Sequence, residues 1–135
     1  MGLGPPIRFS KVAYLHSVRL LDIRGRIETN ILSPKTDYAA YLVFKLVRTS
    51  CGLEYANSII RFVNYESDTE TEKQANTVKL ATSPKLRGDG WMEVELGYFN
   101  SKEDSDGPVE ARLMEIKRLD DKSGLIVEGI EFRPK

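Results

Sequence analysis

The chain has 135 residues, with twenty Lys and Arg against twenty Asp and Glu. That is enough for one hydrophobic core and too little for two, and zero net charge provides no long-range field to gather polyanions. Hydrophobic residues make up 41% and charged residues 30%, which excludes a wholly disordered chain, and the longest apolar run, Tyr38 to Phe44, falls far short of the roughly 20 residues of a membrane-spanning helix.

Residues 1–10 read as a tail and 11–135 as a single domain. The first strand signal, over residues 8–14, is weak. Leu21, Ile23 and Ile27 then alternate with Asp22, Arg24, Arg26 and Glu28, which predicts a strand. The segment from Thr36 to Arg48 has enough alanine for a helix. Its β-branched and aromatic density favours a strand instead, with Leu42, Phe44 and Leu46 on one face. Residues 57–64 and 77–82 are further, weaker candidates. Met92, Val94 and Leu96 alternate with Trp91, Glu93 and Glu95; Val109, Ala111 and Leu113 alternate with Glu110 and Arg112; Ile126, Ile130 and Phe132 close the chain.

Turn signals separate these runs at Ser33-Pro34, Ser83-Pro84, Asp89-Gly90, Asp106-Gly107 and Ser123-Gly124. Gly25, Gly97 and Gly129 lie in or beside strand runs and suggest bulges or close backbone approach. The polar, acidic stretches 65–76 and 100–107 read as exposed connections. About eight short strands, each with one apolar face, predict an all-β, antiparallel two-sheet sandwich.

Little catalytic chemistry is available. One cysteine, Cys51, excludes an internal disulfide and suits a reducing compartment, and a single His16 beside it leaves no His/Cys set for zinc. No nucleophile elbow, P-loop or G-x-G-x-x-G fingerprint occurs. Neither a secretory signal nor an Asn-x-Ser/Thr acceptor is present. Arg87-Gly88-Asp89 reads as a turn, and Glu103, Asp104 and Asp106 as solvated carboxylates that lack the spacing of a calcium loop. No cofactor or metal is expected, and no membrane association.

Several runs, taken together, resemble the phloem protein 2 family of plant lectins, also called Nictaba-related lectins. They are LLDIRGRIET (20–29), LSPKTDYAAYLVFKL (32–46), SIIRFVN (58–64), DGWMEVELGYFN (89–100), DGPVEARLMEIK (106–117) and KSGLIVEGIEFRPK (122–135). The resemblance implies a jelly-roll sandwich, reversible binding of N-acetylglucosamine oligomers or the N-glycan core, residence in cytosol, nucleus or phloem sap, and no catalysis. With no F-box segment in this sequence, the short stand-alone form is expected. In the tobacco relative, two tryptophans near the N-terminus and two glutamates in the DG-x-VE-x-x-LMEI segment were proposed to matter. Here the second glutamate is Glu115, the first position is Pro108, and Trp91 is the chain's one tryptophan.

An amino-sugar site needs a ring to cover the pyranose face and fixed polar partners for hydroxyls and amide. Strand geometry sends Trp91, Glu93 and Glu95 to the face opposite Met92, Val94 and Leu96. With Tyr98, Glu115, Arg112 and Asn57 they make up the candidate carbohydrate-binding set. Each has a plainer alternative: Trp91 as a packing residue, Tyr98, Tyr38, Tyr41 and Tyr55 as packing rings, and Glu110, Arg112 and Glu115 as a solvated ion-pair face. Glu93 and Glu95, side by side on one strand, are poorly placed to flank a glycosidic bond. Shallow sites bind weakly, so a homodimer is expected, with Cys51 a possible intermolecular bridge. The rival function is an interaction module for phloem proteins or RNA.

Overall fold

A computed structural model describes residues 7–8, 13–15, 21–67, 75–80, 85–101, 107–115 and 122–135. Within them the alternating runs become strands β1 (Ile7–Arg8), β2 (Ala13–Leu15), β3 (Leu21–Glu28), β4 (Asp37–Cys51), β5 (Ala56–Phe62), β6 (Asn76–Val78), β7 (Lys85–Leu86), β8 (Met92–Asn100), β9 (Pro108–Glu115) and β10 (Ser123–Pro134). A single 3-10 turn, Thr29–Ile31, separates β3 from β4, and no α-helix occurs among the described residues. The Thr36 to Arg48 ambiguity resolves to strand. The weak 8–14 candidate resolves into two short strands.

The strands form two antiparallel sheets. One has the order β1-β10-β4-β8-β7, with β2 also paired to β10; the other has the order β3-β9-β5-β6. The chain changes sheet at β2/β3, β3/β4, β4/β5, β6/β7, β8/β9 and β9/β10, consistent with jelly-roll winding. Between the layers sit Leu21 and Ile27 of β3, Ala40, Leu42 and Phe44 of β4, Leu96 and Phe99 of β8, Val109, Ala111 and Leu113 of β9, and Leu125, Val127, Ile130 and Phe132 of β10. Each apolar half of an alternation has met the apolar half of the opposite sheet.

Two bulges reset the alternation, as the glycines suggest. Ala40 pairs with Gly97 but Tyr41 with Glu95, so Leu96 is an extra residue in β8. The slip sends Tyr98 outward to the face of Glu95 and Phe99 into the core. On β10, Val127 pairs with Phe44 but Gly129 with Val43, leaving Glu128 extra. Leu125 and Val127 therefore point inward together with Ile130 and Phe132, while Ile126 is only partly buried, on the opposite face. Gly25, by contrast, pairs in regular register with Ala111.

Ser123-Gly124 is no turn but the bulged start of β10. Gly107 and Gly90 do adopt the positive φ expected of turn residues. Ser83-Pro84, His16, the cores of the two acidic stretches and Asp106 lie outside the described residues, as does the side chain of Cys51. No described helix is long and apolar enough to cross a membrane.

Gly124 has φ +85°, and a Cβ there would lie 2.7 Å from Ser50 Cα and 2.7 Å from Val47 Cγ2. Neither backbone nor packed valine can yield cheaply. Gly124→Ala is expected to destabilise the fold by about 3 kcal/mol in urea denaturation.

Candidate functional site

At one end of the second sheet the last residue of β9 meets the first residues of β5. Glu115 lies on the inward side of its strand, opposite Leu21, while Asn57 pairs with Met114 on one side and Thr77 on the other. Tyr55, Ala56, Asn57, Thr77 and Glu115 line an open depression of about 420 Å³ there. Tyr55 is 46% exposed, and the Lys79 ammonium lies 6.0 Å from its ring centroid. Glu115 is itself nearly buried. Asn57 and Thr77 commit no side-chain hydrogen bond to the described residues. The depression thus offers an aromatic ring, a carboxylate, an amide and a hydroxyl at the rim of the sandwich, at the lower end of the size range of small-ligand sites.

The outer face of the same sheet carries Asp22, Arg24 and Arg26 of β3, Glu110 and Arg112 of β9, and Arg61 of β5. Arg112 grips Asp22 with two bonds, Nε to Oδ1 at 2.8 Å and Nη2 to Oδ2 at 3.1 Å. Arg24 reaches the same carboxylate at 3.3 and 3.2 Å. Burial alone would raise the Asp22 carboxyl, but Arg112 and Arg24 outweigh it and hold the group below its ordinary range. Glu110 accepts from Arg26 Nε at 2.7 Å, Arg61 Nε at 3.1 Å and Arg24 Nη1 at 3.3 Å. This is an ion-paired face, as the plainer alternative has it for Glu110 and Arg112; these two are buried, with Glu110 1% exposed, while Arg26 at its edge is 54% exposed.

The outer face of the first sheet is built the same way. Arg133 donates to Glu93 at 2.5 and 3.2 Å and lies 3.7 Å over the Tyr41 ring. Lys135 Nζ bonds Glu95 at 3.0 Å and sits 4.4 Å over Tyr98. Lys45 Nζ lies 4.3 Å over Trp91. Arg87 turns inward to Glu93 and Glu131, at 3.5 and 3.4 Å, and also pairs with Asp89 at 3.4 Å. Asp89 accepts the Trp91 N–H at 3.1 Å, which holds its carboxyl below the usual range, and Arg87 N–H donates to the Trp91 carbonyl. The Arg-Gly-Asp tripeptide is therefore a turn tied to its own sheet.

The candidate residues divide accordingly. Asn57 and Glu115 both border the depression, Asn57 from the outer face of the sheet and Glu115 from the inward side of its strand, and Arg112 lies one rung from Asn57 on the outer face. Trp91, Glu93, Glu95 and Tyr98 share the outer face of the other sheet, pointing away from it, with roughly 10 Å of core between the layers. Tyr38 belongs to the core, stacked on Phe99 at 5.9 Å with its hydroxyl accepting from Ser33 N–H. Pro108 and Glu115 are the first and last residues of β9, seven strand steps or about 23 Å apart. They cannot touch one sugar ring. Sequence reasoning missed Thr77, because nothing local told which strand would pair beside Asn57.

The chain is a two-layer antiparallel β-sandwich with a small polar depression at one rim. The chain belongs to the phloem protein 2 family: that family's profile, Phloem protein 2, matches residues 4–134. Among Arabidopsis thaliana relatives, the chain is 41% identical to F-box protein PP2-B10, covering 96% of this chain and 51% of that protein. It is 35% identical to F-box protein VBF, covering 95% and 56%, and 36% identical to F-box protein SKIP3, covering 96% and 48%. The chain spans about half the length of these relatives.

Glu110→Gln leaves three guanidiniums around a neutral amide and is expected to cost about 3 kcal/mol in chemical denaturation. The exposed partner behaves differently: Arg26→Gln should cost under about 1 kcal/mol. For Asp22 the pH dependence has a defined sign. Its folded pKa is depressed, so its stabilisation is complete above the unfolded value and is lost as pH falls through the folded one. The stability deficit of Asp22→Asn is therefore expected at pH 7 and should fade below about pH 4, read from denaturation midpoints.

Proposed function

We propose that this domain binds N-acetylglucosamine oligomers, or the N-glycan core, reversibly and without catalysis, in the depression formed by Tyr55, Asn57, Thr77 and Glu115. The observation that carries the reading is the meeting of Asn57 and Glu115 at one opening beside an exposed tyrosine. The carboxylate and amide suit sugar hydroxyls and the acetamido N–H, each charge-assisted bond contributing roughly 1.5 to 3 kcal/mol, and the Tyr55 ring suits the apolar pyranose face. The choice of N-acetylglucosamine as the sugar class rests on the resemblance to the phloem protein 2 family. Site strength would be modest singly, which makes a homodimer the natural working form, in cytosol, nucleus or phloem sap.

Trp91, Glu93, Glu95 and Tyr98 stand as the competing surface for the same ligand. Their carboxylates are engaged by Arg133 and Lys135, and Lys45 lies 4.3 Å over the indole, closer than Lys79 at 6.0 Å over Tyr55, so one face of the indole is more tightly occupied than that of Tyr55. A second functional reading, a surface for protein partners rather than sugar, draws on the relatives named as F-box proteins.

Because Trp91 is the sole tryptophan and lies on the other sheet, one titration separates all three. Chitotriose followed by calorimetry and tryptophan fluorescence is expected to give saturable heat, no change in emission, and at least tenfold weaker binding in Glu115→Gln with an unaltered circular-dichroism spectrum. A shifted emission would move the sugar to the Trp91 face. No saturable heat at millimolar sugar would favour the protein-partner reading.

A further inference from the structure

Among the described residues one sheet edge is long. Strands β1, β2, β6 and β7, which also border their sheets, have two or three residues each, whereas β3 runs for eight, Leu21–Glu28, and pairs on one side only, with β9. Its register with β9 is regular over that whole length, with no bulge to twist the edge away. Nor does β3 contain proline or an inward-pointing charge: Leu21, Ile23, Gly25 and Ile27 lie on its core side. Short strands, bulges, prolines and inward charges are the usual means of closing an edge to other chains.

The hydrogen bonds fix which backbone groups the edge presents. Thr29 N–H donates to the Gly107 carbonyl, and the same register sets Ile27 opposite Val109 and Gly25 opposite Ala111, so the odd residues of β3 spend their backbone groups on β9. The even residues of β9 turn to β5 instead, in line with the Val63 N–H bond to the Pro108 carbonyl. Asp22 and Arg26 therefore direct both N–H and C=O to the open side. Glu28 directs its N–H there, and as N-cap gives its carbonyl to the 3-10 turn. These open groups bond no backbone group among the described residues. Asp22, Arg26 and Glu28 are all exposed, as an uncovered edge requires.

The outer face of β3 selects what can pair with it. A second copy of the strand, laid antiparallel in full overlap, sets Asp22 opposite Glu28 and Arg24 opposite Arg26, like charges at every outward rung. A different chain escapes that repulsion. We infer that the open side of β3 accepts an extended segment of a partner protein as an added antiparallel strand. The segment that fits carries apolar residues opposite Ile23 and Ile27, an aromatic ring over Gly25, an acid opposite Arg26 and a base opposite Glu28. Arg26 commits only its Nε–H, to Glu110, and Glu28 makes no side-chain bond to the described residues, so both can turn to such a partner. The edge uses none of the residues of the depression and stands apart from the sugar reading.

The test titrates the blocked peptide Lys-Val-Glu-Phe-Thr-Val-Thr, written to lie opposite residues 28 down to 22, by calorimetry and by NMR hydrogen exchange. Saturable binding is expected, with new protection of the Asp22, Arg26 and Glu28 amide protons and none added at Ile23 and Ile27, which already bond β9. Glu28 has φ −79°, an angle proline adopts, so Glu28→Pro should keep its denaturation midpoint while losing an edge donor. Peptide affinity should fall roughly tenfold in Glu28→Pro and about threefold in Glu28→Gln, which keeps the N–H. In Glu28→Lys the loss should be recovered by a peptide with Glu in place of its Lys, and chitotriose affinity should be the same in all three variants. No saturable binding at millimolar peptide, equal binding of a shuffled peptide of the same composition, or full affinity in Glu28→Pro overturns the inference and leaves the sugar reading as it was. Protection of the same amides that grows with protein concentration in the absence of peptide gives the edge to a second copy, and overturns the assignment to a partner protein.

Discussion

Shared carboxylates hold this molecule's surfaces in place. A two-sheet sandwich buries one face of each sheet and leaves the other in water, and here both outer faces are covered by arginine and lysine side chains converging on a few acids. Glu110 takes three guanidiniums on one side of the molecule; Glu93 and Glu131 share Arg87 and Arg133 on the other. On these faces the outward-pointing Val43 and Ile59, paired with Glu93 and Arg112, are only 1% and 5% exposed. Removing the central acid of such a set costs more than any single pair would suggest, since the surrounding cations lose their common partner at once.

The same arrangement limits where a ligand can go. A ring already covered by a cation, as Trp91, Tyr41 and Tyr98 are, has one face engaged, and a carboxylate already forked by arginine has little left for a hydroxyl. The rim differs because β5 begins there, with Tyr55 preceding the strand. Asn57, Thr77 and Glu115 border the depression beside that tyrosine.

Much of this was legible from the chain. Period-two alternation located the long strands and their inward residues, because a sandwich imposes that period on every strand. It failed at the bulges: one extra residue at Leu96 and another at Glu128 invert the alternation downstream, so Tyr98 joins Glu95, and Ile126 trades places with its neighbours. Gly97 and Gly129 marked those places without saying which residue would be extra. The choice of Glu115 and Asn57 came from family resemblance and from position near a strand end. That they would meet depended on the β5–β9 pairing, which no local signal encodes. The cations over the aromatic rings were equally invisible, since Lys45, Arg133 and Lys135 lie more than thirty residues away in sequence from Trp91, Tyr41 and Tyr98 respectively.

Strand β9 ties these properties together. Within eight residues it carries a central acid of the ion-paired face, Glu110, the fork that grips Asp22, Arg112, and the acid of the depression, Glu115, on a backbone paired on both sides. Rigidity is what such a strand gives the site: Glu115 is paired with Leu21 on one side, and the preceding Met114 with Asn57 on the other. The cost is that stability and recognition are entangled on one element, so loss of binding after a change in β9 is ambiguous between them. Asn57 and Thr77 escape the ambiguity, since their side chains hold nothing else among the described residues. Substitutions there read the function of the rim with the least disturbance to the charges that keep the sheets in register.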